Sequence, residues 1–251
     1  YFLYYYLYLY FSLCCLHNYN FEYKDYLNLN FLPLFLNYYD EEQLSSEYNS
    51  ISCRHNYYDF SCGWGVRLLS ALKHKVNYFG TDPNSELVPR LNALTADFKD
   101  EVGNYSSVDI KCTGSEIYQS EWQNKMDFIF SSPPYFNLED YRIGNGQSYK
   151  EGETTYEMWI DNYVKPTIEN CYNYLKDDGI FAFNIKNNFK YIKHDMEGDW
   201  DRIANECGFE KIDEVDLVNI TRVSGHKHSD GSANTMEVHE NNEIIRIYKK
   251  K

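Results

Sequence analysis

Short apolar runs alternate with segments of helical spacing from residue 57 onward, and this alternation restricts the possible folds more than any other feature. The order strand, helix, strand is typical of a parallel sheet, because parallel neighbours need a crossover that is usually helical. The pattern therefore predicts an α/β fold. It predicts strands at residues 57–60, 76–84, 107–115, 125–132, 180–186, 211–220 and 242–250. It predicts helices at residues 66–75, 86–102, 156–178 and 199–209.

Glycine and proline mark the expected ends and irregularities of these elements. Gly179 is expected to open the fifth strand, and Gly208 is expected to close the last helix as a C-cap. Pro89 should disturb the second helix near its start, because proline has no backbone donor. For the same reason, the pair Lys165–Pro166 is expected to kink or divide the helix over 156–178.

Four side chains along these helices can be interpreted from the sequence, three as core residues and one with two possible roles. Trp159, Ile160 and Tyr163 recur at helical spacing and are predicted to belong to the core. Arg67, at the start of the first helix, either faces a catalytic pocket or caps a surface carboxylate. The sequence alone leaves both roles for Arg67 open.

Residues 1–50 differ in composition from the rest of the chain. They are rich in Tyr, Leu and Asn, and we interpret them as a low-complexity appendage to a domain at residues 51–251. The opening stretch YFLYYYLYLYFSLCCL is shorter than the roughly 20 apolar residues that a spanning helix needs. It also lacks a basic region before its apolar residues. No membrane segment is therefore expected.

Charge and cysteine content limit the partners and the compartment. A net charge of −14 argues against a large basic surface, so nucleic-acid binding would need a local basic groove. The seven cysteines form no CxxC pair and no even framework, which favours a reduced, cytoplasmic setting. No metal is expected, because His226 and His228 have no third ligand at a suitable spacing.

The segment DFSCGWG, residues 59–65, is a candidate binding turn between the first strand and the first helix. Gly63 and Gly65 have no Cβ atom, so the backbone can approach a ligand closely. An ordinary tight turn is the alternative. Asp82 follows the second strand 17 residues after Gly65, where doubly wound folds bind a ribose. Without a complete G-x-G-x-x-G motif, a nucleoside cofactor lacking a pyrophosphate is favoured over a dinucleotide.

The segment SSPPY, residues 131–135, follows the apolar run of the fourth strand. Pro133 and Pro134 remove two backbone donors and fix two φ angles, so the strand must end in a stiff turn. A diproline flanked by a small polar residue and an aromatic one should occur by chance in only roughly one chain in a hundred of this size.

With these two segments in this order, the chain resembles the amino-group DNA methyltransferases over residues 57–251. Their motif IV, [Asp/Asn/Ser]-Pro-Pro-aromatic, is matched by Ser132–Tyr135, and their motif I by the glycine turn. The resemblance implies a Rossmann-like methyltransferase fold, with a mostly parallel seven-stranded sheet that ends in an antiparallel hairpin. It also implies methyl transfer from S-adenosylmethionine to a flipped DNA base, often beside a restriction partner. The serine of the motif favours cytosine N4 over adenine N6.

The resemblance also implies a role for each matching residue. The catalytic residues would be Ser132, Pro133, Pro134 and Tyr135. The Ser132 hydroxyl and the Pro133 carbonyl would accept hydrogen bonds from the amino group, and Tyr135 would stack on the base. Gly63, Trp64 and Gly65 would hold the methionine end of the cofactor, and Asp59 would lie near its amino group, with Ser61 in the same turn. Asp82 would bind the ribose. Ser115 and Glu116 would flank the adenine.

Two features expected of the family are not recognisable. The segment before the glycine turn does not recognisably supply the helix that packs against the methionine end of the cofactor in this family. A target-recognition domain of the usual size is not recognisable either, and the candidates for that role are the loops at 136–154 and 221–242. The segment 221–242 carries a basic island, Arg222, His226, Lys227 and His228, which would contact DNA phosphates or form a solvated loop. A homodimer or a partner subunit would extend the DNA contact. The alternatives are methylation of RNA, protein or a small amine, and a non-catalytic binding subunit of the same fold.

Overall fold

The computed structural model describes residues 55–73, 76–102, 107–138, 141, 146–187, 193–217 and 243–251. Residues 1–50, the predicted appendage, lie outside these ranges. The seven strands are β1 (Asn56–Asp59), β2 (Asn77–Thr81), β3 (Val108–Lys111), β4 (Met126–Ser131), β5 (Leu175–Asn184), β6 (Phe209–Leu217) and β7 (Glu243–Lys250). All seven predicted strands are present, which confirms the α/β fold.

The helices alternate with the strands as the sequence predicts. They are α1 (Val66–Lys73), α2 (Leu87–Val102), α3 (Tyr156–Trp159), α4 (Lys165–Tyr174) and α5 (Met196–Glu206). A short 3₁₀ turn covers Ser120–Trp122, and a π-helical turn covers Ile160–Val164 between α3 and α4. None of the helices in the described ranges has both the length and the apolar character needed to cross a membrane.

One sheet contains all seven strands, in the order β3-β2-β1-β4-β5-β7-β6. The first five strands are parallel to their neighbours, and β7 is antiparallel to both β5 and β6. The chain moves outward from β1 to β2 and β3, and then returns to place β4 on the other side of β1. In open α/β sheets, ligands bind at the carboxyl ends of strands where the order reverses in this way. That point here lies between β1 and β4.

The start of β5 differs from the prediction. The strand begins at Leu175, and α4 ends at Tyr174, although the sequence predicts a helix to residue 178 and a strand opened by Gly179. Residues 176–179 form an irregularity opposite Asp127, because Met126 pairs with Leu175 and Phe128 pairs with Ile180. A Cβ atom on Gly179 would lie 2.6 Å from Leu175 Cδ1. The glycine is therefore needed for close packing inside the strand.

The two helical prolines do not break their helices. Pro89 lies in the first turn of α2, where a backbone donor has no intrahelical acceptor in any case. Pro166 is the second residue of α4, and the π-helical turn immediately before it widens the helix by one residue. The helix over 156–174 is therefore continuous, with one wide turn in place of the predicted kink.

Two apolar layers cover the sheet, one on each face. The layer beneath α3, α4 and α5 is largely aromatic and includes Trp122, Trp159 and Trp200, each at most 1% exposed. The layer beneath α1 and α2 combines aliphatic side chains such as Leu68 and Leu91 with a few aromatic rings, among them Tyr78 and Phe128. Trp159 and Tyr163 are buried and Ile160 packs against the same cluster, so the predicted core positions are confirmed.

Candidate active site

The glycine turn and the diproline corner meet at one edge of the sheet. Asp59 ends β1 and Ser131 ends β4, and these two strands are parallel neighbours. The Ser131 hydroxyl donates a hydrogen bond of 2.8 Å to Asp59 Oδ1. The two segments that the sequence analysis selected are thus joined directly, through residues 72 positions apart in the sequence.

The Asp59 carboxylate is the centre of a buried network. It is 0% exposed and accepts four hydrogen bonds. Oδ1 accepts from the Ser61 amide at 3.2 Å and from Ser131, and Oδ2 accepts from Arg67 Nε and from the Tyr78 hydroxyl, both at 2.8 Å. A carboxylate has about four acceptor positions, so all of them are used.

Arg67 does not cap a surface carboxylate, because it pairs with the buried carboxylate of Asp59. Besides Asp59, its guanidinium donates to the Ser61 carbonyl and, at 3.3 Å, to the Ser131 hydroxyl. Its side chain is 13% exposed. The planar fork of arginine suits several acceptors held at fixed angles.

The glycine turn has the backbone form that its sequence predicts. Gly63 has φ of 52° and Gly65 has φ of 82°, in the left-handed region that favours glycine. A Cβ atom on Gly65 would lie 2.7 Å from Leu91 Cδ2, so this position also needs glycine for its contact with α2. Trp64, between the two glycines, is 46% exposed. The turn thus presents backbone and one indole toward solvent.

Asp82 lies directly beside this turn. Its Oδ2 accepts from the Gly63 amide at 3.1 Å, and its Oδ1 accepts from the Asn84 amide at 2.9 Å. Partial burial raises the pKa of the Asp82 carboxyl above its ordinary range, and these two backbone hydrogen bonds oppose the shift. Each oxygen keeps one acceptor position for a ligand, as a ribose diol requires.

Ser115 and Glu116 follow β3 at the same edge of the sheet. Ser115 is buried, its hydroxyl bonds the Thr167 hydroxyl at 2.9 Å, and its carbonyl accepts from Asn170 Nδ2 at 2.8 Å. The carboxylate of Glu116 folds over Gly114, where an added Cβ atom would meet it at 2.2 Å. Burial raises the pKa of Glu116. The loop is therefore fixed from below by α4.

Tyr163, which the sequence analysis assigned to the core, also lies beside two candidate cofactor segments. It is 6% exposed, and its hydroxyl is near Ser61 of the glycine turn and Ser115 of the loop after β3. Burial raises the pKa of Tyr163. Tyr163 lies in the π-helical turn, a local form that often occurs at functional sites. Pro166, inside a helical pattern, was the sequence signal that could have indicated this irregular turn.

The diproline corner is rigid and mostly enclosed. Pro133 is buried, Tyr135 is 8% exposed, and the Tyr135 hydroxyl approaches Asn184 Oδ1 of β5 at 3.5 Å. Ser132 is half-buried, and its hydroxyl makes no hydrogen bond within the described ranges.

An aromatic wall continues the corner on the side of α3. Phe136, with φ of 21°, contacts the rings of Tyr149, Tyr156 and His194 edge-on. The exposed His194 ring stacks on Tyr156 at a centroid distance of 3.8 Å. This wall gives the crevice a flat, largely apolar side.

The structure does not describe the remaining predicted site residues. Arg222, His226, Lys227 and His228, predicted to contact DNA, fall outside the described ranges. Within the described ranges, no group of three side chains is arranged to bind a metal ion.

The strand order and the two turns define a class, the Rossmann-like S-adenosylmethionine-dependent methyltransferases. A solved methyltransferase of this kind from Methanosarcina mazei is 12% identical, with a TM-score of 0.53, and the match covers 87% of this chain and 97% of that one. An O-methyltransferase from Thermotoga maritima is 11% identical, with a TM-score of 0.50, and covers 84% and 65% respectively. At these identities the likeness concerns the fold, and it confirms the predicted fold class.

The family follows from the half of the chain that begins at β4. A family model described as DNA methylase, for the N6 and N4 enzymes, matches residues 126–251. The chain belongs to this DNA methylase family, as its diproline motif predicts. A comparison with curated proteins gave no match. The cofactor is S-adenosylmethionine, and the left-handed glycine turn beside the two remaining acceptor positions of Asp82 fits it.

Proposed function

We propose that this protein transfers a methyl group from S-adenosylmethionine to an exocyclic amino group of a DNA base, with cytosine N4 favoured over adenine N6. The observation that carries the proposal is the hydrogen bond between Ser131 and Asp59, which holds the catalytic corner against the cofactor turn. The serine at position 132 supports the cytosine preference, because Ser-Pro-Pro-Tyr is usual among the N4 enzymes that the chain resembles.

The residues at the carboxyl ends of β1, β2 and β3 would hold the cofactor in this proposal. Gly63, Trp64 and Gly65 would hold its methionine end, with Asp59 and Ser61 beneath them. The Asp82 carboxylate would accept hydrogen bonds from the ribose hydroxyls, and Ser115 and Glu116 would flank the adenine. The bound cofactor would supply an activated methyl group near the ends of β1 and β4.

The catalytic corner prepares the nitrogen of the base for attack. An exocyclic amine shares its lone pair with the ring, so it is a poor nucleophile. The Ser132 hydroxyl and the Pro133 carbonyl accept hydrogen bonds from its two N–H groups and turn the lone pair toward the methyl group. The bound cofactor would supply the activated methyl group for the new N–C bond, and the proton that the amine loses would pass to solvent through the hydrogen bond to Ser132. Two adjacent prolines keep these acceptors in place.

Tyr135 serves as the fixed wall on which the flipped base stacks. Its ring is packed in the aromatic core and only 8% exposed, so it cannot swing away from the pocket. A base stacked on such a ring gains about 1–3 kcal/mol. The chain as a whole carries a charge of −14, so DNA binding needs a local basic region. The basic island at 221–242 would supply it and hold the DNA phosphates.

The test of this function is expression in a host without DNA methylation, followed by mass spectrometry of the digested DNA. N4-methylcytosine is the expected product. N6-methyladenine would overturn the cytosine preference, and the absence of both would overturn the DNA substrate.

The acidic charge supports one second candidate, methylation of a substrate other than DNA, such as RNA, a protein or a small amine. Titration of duplex DNA at decreasing salt separates the two. Affinity that rises steeply as salt falls supports DNA, since released counterions then drive binding. Negligible affinity at low salt supports the second candidate.

Replacing Tyr163 by phenylalanine is expected to weaken cofactor binding by about 5- to 10-fold. The variant removes the hydroxyl that lies near Ser61 and Ser115, and so it removes a polar group shared by two candidate cofactor segments. Calorimetric titration of S-adenosylmethionine measures the change. Tyr172→Phe, in the following turns of the same helix, is the matched control and should bind normally. Equal affinities for both variants would remove Tyr163 from the cofactor site.

The raised pKa of Asp82 predicts a pH dependence of cofactor binding. Ribose hydroxyls donate to the ionised carboxylate, so binding is complete above the pKa of Asp82 and is lost as the pH falls through it. Because partial burial raises this pKa, the loss should begin at a higher pH than for an ordinary aspartate. Asp82→Asn should bind about tenfold more weakly at neutral pH and show no acid limb. The exposed Asp97→Asn is the control, and an unchanged acid limb in Asp82→Asn would contradict the assignment.

A further inference from the structure

We propose that Asp59, Arg67 and Ser131 form a buried clamp that couples the cofactor turn to the catalytic corner. The three act as positioning residues, and none of them touches the reacting atoms. The proposal rests on the proposed function, since it concerns how cofactor and base are held relative to each other.

The contacts of the clamp reach both sides of the crevice. On the cofactor side, Asp59 accepts from the Ser61 amide, and Arg67 donates to the Ser61 carbonyl. On the catalytic side, both Asp59 and Arg67 bond the Ser131 hydroxyl, at 2.8 Å and 3.3 Å. Ser131 directly precedes Ser132. Movement of either segment is therefore transmitted through one carboxylate–guanidinium pair.

In the clamp, Asp59 affects the cofactor indirectly, through the residues that it holds in place. With four donors already in place, a cofactor ammonium group could bind Asp59 only after one of them left. A buried carboxylate that lost its arginine would be an uncompensated charge, which is strongly unfavourable. Asp59 thus contributes through the shape of the turn that Ser61 begins.

Such coupling matters because methyl transfer needs the nitrogen, the carbon and the sulfur in line. A displacement of about 1 Å can cost on the order of 100-fold in rate. Two separate loops could each bind their ligand and still drift relative to each other. A shared buried anchor removes this freedom, because Ser61 and Ser131 hydrogen-bond the same oxygen of Asp59.

Hydrogen–deuterium exchange of the free and cofactor-bound protein tests the clamp directly. In the unmodified protein, S-adenosylmethionine is expected to protect the peptides over residues 57–70 and also those over 126–138. In Ser131→Ala, protection of 57–70 should remain, because the Ser61 and Arg67 contacts are intact, and protection of 126–138 should be lost. Turnover of Ser131→Ala at saturating cofactor should fall about 10- to 100-fold, with cofactor affinity within about threefold of normal.

Ser70→Ala is the matched control. Ser70 lies in α1 and is also buried, and its hydroxyl has no hydrogen-bond partner within the described ranges, so this variant should behave as the unmodified protein. Arg67→Lys keeps the charge but loses the fork, and it should weaken both cofactor binding and turnover.

Cofactor-induced protection of 126–138 that persists in Ser131→Ala would overturn the clamp, and so would protection confined to 57–70 in the unmodified protein. Both results are distinct from failure of the proposed function. If only the proposed function is wrong, cofactor binding and the coupled protection of both segments remain, but no methylated base is found in DNA.

Discussion

Replacing Ser132 by alanine is expected to lower kcat by about 100- to 1,000-fold while leaving the fold and cofactor binding intact. Removal of one preorganised hydrogen-bonding group from a reacting centre typically has an effect of this size. Ser132 is half-buried, and its hydroxyl makes no hydrogen bond within the described ranges. The variant therefore removes a substrate contact without breaking an internal one.

Single-turnover kinetics with radiolabelled cofactor measure this effect, and a thermal melt with calorimetric titration checks fold and cofactor affinity. Ser132→Asn is the informative companion variant, because its amide oxygen is an acceptor and asparagine also occurs in this motif. It should recover part of the rate. A kcat of Ser132→Ala within threefold of the unmodified protein would remove Ser132 from the mechanism.

The second large effect is expected at Tyr135, where the ring and the hydroxyl can be separated. Tyr135→Phe keeps the ring and loses the hydroxyl, whose contact with Asn184 Oδ1 is a long 3.5 Å, so kcat/KM should stay near normal. Tyr135→Leu fills much of the same space without an aromatic face. It should lose about 5- to 150-fold in kcat/KM, equivalent to about 1–3 kcal/mol of base stacking.

Leucine is preferable to alanine for this test. Tyr135 belongs to the aromatic core, so Tyr135→Ala would also leave a cavity that costs about 3–5 kcal/mol of unfolding free energy. Steady-state kinetics on duplex DNA, with melting curves for each variant, measure both quantities. Loss of activity in Tyr135→Phe, with Tyr135→Leu no worse, would assign the role to the hydroxyl.

The sequence predicted the fold because periodicity and chain order carry most of the information about a doubly wound sheet. The π-helical turn was not predictable in this way. Pro166 indicates that one helical hydrogen bond is missing, but packing decides whether the helix kinks, divides or widens. The early start of β5 has a similar origin, because its irregularity depends on the fit of Gly179 against Leu175 and Asp127.

The candidate site was likewise predictable where it depends on chain order and not where it depends on packing. Two turns at the ends of parallel strands could be placed together from sequence, since such ends share one edge of the sheet. Arg67 could not be assigned, because the reach of a long side chain depends on which acceptors the folded chain brings near it. Tyr163 was assigned to the core, which is correct for its ring. Its hydroxyl contacts, with Ser61 and Ser115, span about 50 to 100 residues of sequence and exist only in the folded chain.

Strand β7 is made after the other six strands, yet it lies between β5 and β6, which do not pair with each other in the described sheet. Within the described sheet, β6 pairs with β7 alone, so this pairing cannot form until residues 243–250 have been made. A product that ended before β7 would leave β5 and β6 each with an unpaired edge, which invites aggregation and proteolysis.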